Sequence, residues 1–261
     1  MTELWGTITE RWYVLVLAAV FGWAALRDLG LRKTLLFSVV AFLVGGTAEN
    51  TSVHWGLPYT SYSFNEEFRG DELWFFDVPL FVPLSYFFSV YFAFASARLI
   101  LSGPWRTRMP GATGQEYVLA VVLAVWPVWL IDPMSRLGGT YLGRVFTYDG
   151  PGFWFGLPFA SQTGYTIVTG SLLVLLFWLK RDDPDVPVPG GLLRHPRAIS
   201  LLTWHGTWVH MVIVALLANA DTLGGSAILI YVPALVLTWI MWSRTRPPVA
   251  TVSEPREKVA Q

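Results

Sequence analysis

The feature that most constrains this chain is a series of separated apolar blocks, each near the roughly 20 residues that cross a bilayer as a helix. The blocks run at about Trp12 to Leu26, Thr34 to Glu49, Val78 to Leu101, Glu116 to Met134, Gly156 to Leu179, Ala198 to Asn219 and Leu223 to Trp242. Connections between them are too short for a soluble domain. Charged residues make up only 14% of the 261, against roughly 25% in a soluble domain. The expectation is an all-α integral membrane protein with about seven transmembrane helices in one bundle over 1–243. The polar, proline-containing stretch 244–261 is expected to be a disordered cytosolic tail. The first block has no basic cluster before Arg11 and no small-residue cleavage pattern after it, so it reads as a span and not as a signal peptide.

Loop charge then orients the bundle. Arg27, Arg32 and Lys33 follow the first span, Arg98, Arg106 and Arg108 the third, Lys180, Arg181, Arg194 and Arg197 the fifth, and Arg244, Arg246, Arg256 and Lys258 the seventh. Those are 14 of the 18 basic residues; the other side holds Arg11, Arg69, Arg136 and Arg144. By the positive-inside rule the N-terminus is outside and the C-terminus cytoplasmic, in a multi-pass protein of the cell membrane. There is no cysteine, so disulfides, thiolate chemistry and cysteine metal cages are excluded. A formal net charge of zero gives no electrostatic case for nucleic acid.

In this topology Glu49 and Asp132 lie near the outer ends of two outward-running spans, at one depth. A charge within the membrane costs on the order of a few kcal/mol, so an acid there is a candidate functional group. Asp77, before the third span, reads instead as an acid placed against a helix N-terminus, and Asp149 and Asp221 read as loop and helix-end residues. Glu49 is expected to end its helix, where the dipole opposes its charge, so something other than capping should hold it. Asp132 sits in "WPVWLIDPM", where Pro127 should bend the helix and Pro133 removes a backbone donor, making a cavity plausible.

Aromatic residues form 16% of the chain and many crowd the outer side, including Trp55, Tyr59, Tyr62, Trp74, Tyr86, Trp154 and Tyr165. An interfacial aromatic belt accounts for part of this; aromatic faces beside acids also stabilise cations. Of the four histidines, His54 is close enough to Glu49 to tune it, while His205 and His210 read as structural, with a proton relay as the second reading. So few histidines disfavour a di-iron site, and no metal is expected. The lysines Lys33, Lys180 and Lys258 lie at span ends or in the tail, which excludes a retinal Schiff base. Asn50-Thr51-Ser52 matches the glycosylation pattern but abuts the membrane.

Together, Glu49 followed by "HWGLPYTSYSF", then "VPLFVPLSYFF", "WLIDPM" and "FWFGLPFASQTGY" resemble the integral-membrane carotenoid biosynthesis proteins. That family includes the carotenoid 1,2-hydratase type, among them bisanhydrobacterioruberin hydratase and carotene 1',2'-hydratase. The resemblance covers about residues 40 to 180. The frame Gly56, Pro58, Tyr59, Thr60, Tyr62, Phe64 departs from the family's segment at one glycine and one tyrosine, and Gln162 and Tyr165 stand where Asn and Trp are usual.

The resemblance implies a cofactor-independent addition of water to a terminal isopropylidene double bond of a long-chain carotenoid or isoprenoid. The residues fit such chemistry: one carboxylic acid protonates carbon, a tertiary cation forms, and a second group activates water. Two close, buried carboxyls tend to share one proton. Glu49 and Asp132 are therefore the catalytic candidates, with their order open. Trp55, Tyr62 and Trp154 are candidates for lining the cation and Gln162 for holding water. A proton-initiated carotenoid or terpene cyclase would use the same acids. A membrane transporter, with the acids binding ions, lacks the paired broken helices expected of one, and a purely structural partner in a carotenoid assembly is a third possibility. Oligomeric state is not legible.

Overall fold

The computed structural model describes residues 2–102, 113–137, 144–182 and 194–244. The expected tail after Arg244 lies outside these residues, as do Arg106, Arg108, Arg246, Arg256 and Lys258. The apolar blocks are mainly helical: α1 (Thr2–Glu10), α2 (Trp12–Asp28), α3 (Leu31–Trp55), α4 (Phe81–Ser102), α5 (Thr113–Val125), α6 (Val128–Leu137), α7 (Phe159–Lys180), α8 (Pro196–Leu217) and α9 (Asp221–Arg244). Six helical segments are long and apolar enough to cross a membrane, with α5 and α6 counted as one. A seventh exists if α1 and α2, bent by 77° at Arg11, form one span. This is a multi-pass helical membrane bundle.

α4 is its axis. It packs on α2, α3, α5, α7 and α8, and its residues Val90 through Ala95 are all buried, as a helix surrounded by others must be, apolar on every face. The peripheral helices keep one apolar face outward: Leu35, Val39 and Leu43 at i, i+4 and i+8 on α3 are exposed, a stripe that needs a hydrocarbon solvent.

The span edges differ from expectation in one way that matters. α3 does not end at Glu49; it continues through His54 and Trp55 and stops at Gly56, whose φ of 69° is the left-handed conformation that closes a helix. Glu49 therefore lies inside its helix, and the dipole argument for it falls. α4 begins at Phe81, later than Val78, so Asp77 caps nothing: it pairs with His54 and Arg69, each at 3.0 Å.

Pro127 does break its span. α5 and α6 are separate helices meeting at Trp126–Pro127. Because proline has no N–H, Pro127 and Pro133 orphan the carbonyls four residues back, on Leu123 and Trp129. An indole N–H fills each place: Trp204 donates to the Leu123 carbonyl and Trp154 to that of Trp129, both at 2.8 Å. The bend that carries Asp132 is thus pinned on both sides by tryptophan.

Between the helices at the Glu49 end the loops form two short antiparallel ribbons. β1 (Tyr62–Phe64) pairs with β4 (Phe146–Tyr148), in the register Tyr62 opposite Tyr148, Ser63 opposite Thr147, Phe64 opposite Phe146. β2 (Trp74–Phe75) pairs with β3 (Val78–Pro79). Period-2 alternation turns Tyr62, Phe64 and Tyr148 inward and Ser63 and Thr147 outward.

Candidate active site

Glu49 is 4% exposed and Asp132 6%, and among the described residues no cation contacts either: their partners are hydroxyls. Tyr86 of α4 donates to Glu49 Oε1 at 2.5 Å, and Tyr62 of β1 donates to Oε2. The Tyr59 hydroxyl is 2.5 Å from that of Tyr86. Tyr165 of α7 stacks on both rings, with centroids 5.2 Å from Tyr59 and 5.8 Å from Tyr86. Across the site, Tyr148 of β4 donates to Asp132 Oδ2 at 2.9 Å and is 2.9 Å from Ser161 Oγ. The β1–β4 register explains the symmetry, since facing tyrosines reach one acid each.

Small residues make these contacts possible. Gly45 is one turn before Glu49, and a Cβ there would come within 2.5 Å of the Tyr86 ring, so Tyr86 reaches the carboxylate by lying against bare backbone. Gly164 does the same for the loop before β1, where a Cβ would meet the Pro58 carbonyl at 2.5 Å. Ser52, one turn after Glu49, accepts the Tyr59 amide hydrogen at 3.2 Å.

Both acids line one cavity of about 490 Å³. Its walls are mainly apolar, with Phe88, Phe92, Leu123 and Val128 among them, while Tyr59, Tyr62, Tyr86, Tyr148, Tyr165 and Ser161 gather at the acid end. Trp12 and Val16 of α2 and Gly206 and His210 of α8 also line it and are exposed. The cavity therefore opens sideways between these two helices, toward the bilayer. Burial, then the charge of Glu49, pushes the Tyr62 phenol well above its ordinary value; burial and Asp132 do the same to Tyr148. Both remain neutral donors.

The structure brings together three of the candidates named from sequence, Glu49, Asp132 and Tyr62, with His210 at the cavity's mouth. It does not bring in the others. Trp55 is 74% exposed, because six residues along α3 turn it about 240° from Glu49. It lines a separate surface hollow with His54 and Phe76, and His54 pairs with Asp77 instead of Glu49. Trp154 is occupied with the Trp129 carbonyl, outside the cavity lining. Gln162 is buried beside Ser161 but does not line the cavity, and its amide N and O have no hydrogen-bond partner among the described residues. His205 sits between Tyr231 at 2.6 Å and Thr238 at 2.9 Å on α9, apart from the acids.

Tyr148 and Ser161 were missed, although the alternation in Phe-Thr-Tyr was a legible strand signal. Among the described residues no group of three or more His, Asp or Glu side chains converges as metal ligands would.

Comparison with curated proteins and with solved structures returned no match. A family model described as "Carotenoid biosynthesis protein" matches residues 10–233, an interval that contains both acids, all four tyrosines bonded around them and both sides of the lateral opening. The chain belongs to the carotenoid biosynthesis protein family.

Proposed function

We propose that the protein is a carotenoid hydratase, adding water across a terminal isopropylidene double bond to give a tertiary alcohol. The observation that carries this reading is the pair of buried carboxyls, ligated by phenols and not by cations, at the closed end of one apolar cavity. A carboxyl without a cationic partner can hold a proton in a dry site, and protonating an alkene needs such an acid. The phenol rings around it stabilise a tertiary cation through their faces.

A long polyene fits the lateral opening. Its apolar chain enters from the bilayer between α2 and α8, leaving one end group against the acids. No resident cofactor is required, since the reaction moves a proton and a water with no change of oxidation state. In the cell the cavity end faces outward and the Arg/Lys-rich loops face the cytoplasm, as the charge bias directs.

Cyclisation shares the first proton transfer, so capture by water is the discriminating step. Ser85, Ser135, Thr203 and Thr207 are also among the residues lining the cavity, and polar side chains there favour an admitted water over a second double bond. Expression in hosts that make acyclic or monocyclic carotenoids, with mass analysis of the pigments, tests the reading. The expected product is heavier by one water. An isomer of unchanged mass would make the protein a cyclase, and unaltered pigment in every host would end both readings.

A further inference from the structure

Resting on the hydratase reading, we propose that the two carboxyls have fixed and different roles: Asp132 is the acid that protonates the alkene, and Glu49 is the carboxylate that faces the cation and takes a proton from water.

The assignment comes from counting hydrogens. Glu49 accepts at both oxygens, from Tyr86 at Oε1 and from Tyr62 at Oε2. A phenol has one hydrogen, so with that of Tyr86 given to Glu49, the Tyr59–Tyr86 contact must run from Tyr59 to Tyr86. Three hydroxyls thus point along two arms toward one carboxyl group, which suits an acceptor-only carboxylate. If the arms ran the other way, Tyr59 and Tyr62 would each lose the only acceptor that the described residues give their hydroxyl hydrogens. Each oxygen of Glu49 thus already accepts one phenol hydrogen and keeps one further lone pair, which suits it to rest as a carboxylate and to take a proton from water.

Asp132 is built differently. Only Oδ2 has a partner, Tyr148, and Oδ1 has none among the described residues. Tyr148 also has a second neighbour, Ser161 at 2.9 Å. Its hydrogen can go to Asp132 when the acid is ionised or to Ser161 when Oδ2 must change role. This arm accommodates both states of the acid, as a group that gives and regains a proton in each turnover requires, and Oδ1 is free to carry the proton.

The steps balance. The π pair of the double bond takes the Asp132 proton to form a C–H bond at the monosubstituted carbon, leaving the cation on the dimethyl carbon and Asp132 ionised. A lone pair of water forms the C–O bond, and the water's surplus proton goes to Glu49. Transfer of that proton from Glu49 to Asp132 through cavity water restores the start. The net change is addition of one water.

The test uses membranes containing the full chain, in D2O, with lycopene and γ-carotene as acyclic and monocyclic probes and mass analysis of carbon-bound deuterium. Wild type gives an alcohol with one carbon-bound deuterium for each end group hydrated. Glu49→Gln lowers hydration by at least about 10²-fold, yet the recovered substrate gains deuterium, because Asp132 still delivers a deuteron and removes a proton from the cation. Asp132→Asn gives neither alcohol nor deuterated substrate. Tyr62→Phe keeps the Glu49 carboxyl and removes one donor; it lowers hydration about 10-fold, the effect of about 1.4 kcal/mol, with deuterium uptake retained. Deuterium uptake by Asp132→Asn but not by Glu49→Gln would reverse the roles. Its loss in Glu49→Gln and Tyr62→Phe alike would overturn the assignment while leaving hydration by the wild type intact. A wild type that neither hydrates nor deuterates either probe would instead remove the hydratase reading itself.

Discussion

The acids that line the cavity and those buried at the opposite end of the bundle are held by opposite means. At the end away from the cavity, Asp28 lies 3.3 Å from Lys180 Nζ and 3.5 Å from an Arg197 nitrogen. Arg98 and Glu116, both buried, approach to 3.8 Å nearby on α4 and α5. In the cavity Glu49 and Asp132 meet only hydroxyls among the described residues, while Glu72, in the loops beside it, is paired with Arg11 at 2.8 Å. A carboxylate beside cations is locked in its charged form and ties helices together; one that meets only phenols keeps access to its proton. The same residue type is therefore a fastening where it meets cations and a carboxyl able to exchange its proton where it meets phenols.

The largest expected effects separate these uses. Asp28→Asn leaves the buried Lys180 and Arg197 without their shared acid, and breaking a buried pair costs about 3–5 kcal/mol. The yield of folded protein from detergent should fall sharply, while pigment converted per folded molecule stays near that of wild type. Asp132→Asn should do the reverse: near-normal folded yield, with hydration lowered about 10²–10⁴-fold as for loss of a general acid. If Asp28→Asn proteins fold well but make no alcohol, the division between the ends is wrong.

A smaller effect tests how the site is held. Gly45→Ala places a methyl 2.5 Å from the Tyr86 ring, and overpacking of this kind costs about 1–3 kcal/mol. Since the ring must move for the methyl to fit, the Tyr86 contact to Glu49 should lengthen and hydration drop about 10-fold at a modest loss of stability. A Gly45→Ala protein with full activity would mean that the Tyr86 arm does not matter to Glu49.

These contrasts also show why the sequence was readable in some places and opaque in others. The spans were legible because a bilayer demands long apolar helices, and the acids because a charge stands out within them. Pro127 announced its break in advance. The helix end near Glu49 was not legible: Thr51, Ser52 and His54 look like loop, yet the helix runs on until Gly56 supplies its left-handed turn. Asn50 looked like a glycosylation site, but its side chain accepts from the Asp77 amide at 3.1 Å and donates to the Gly46 and Phe75 carbonyls, holding the β2–β3 turn on α3. Trp154 looked like a cation wall, whereas the nearer demand is the carbonyl that Pro133 orphans. Long-range pairings of this kind, Tyr62 with Tyr148 or Trp204 with Leu123, depend on which helices become neighbours, and no local pattern encodes that.

The smallest expected effect marks the outer limit of the site. Trp55 and His54 follow Glu49 by only six and five residues, and proximity in sequence made both candidates for the reaction. The helix that carries them turns them onto another face, where Trp55 is 74% exposed and His54 is hydrogen-bonded to Asp77 at 3.0 Å in an exposed pair. Exposed pairs contribute about 0–1 kcal/mol, and an exposed indole at a helix end serves the membrane interface. Trp55→Ala and His54→Ala should each leave alcohol formation within about twofold of wild type, a change under roughly 0.5 kcal/mol, with the folded yield nearly unchanged. Measured beside Tyr62→Phe, whose phenol touches Glu49 from farther along the chain, they compare distance in sequence with distance in space. A loss of alcohol with Trp55→Ala as large as with Tyr62→Phe would move the reacting end group out of the cavity and into the hollow between Trp55 and Phe76.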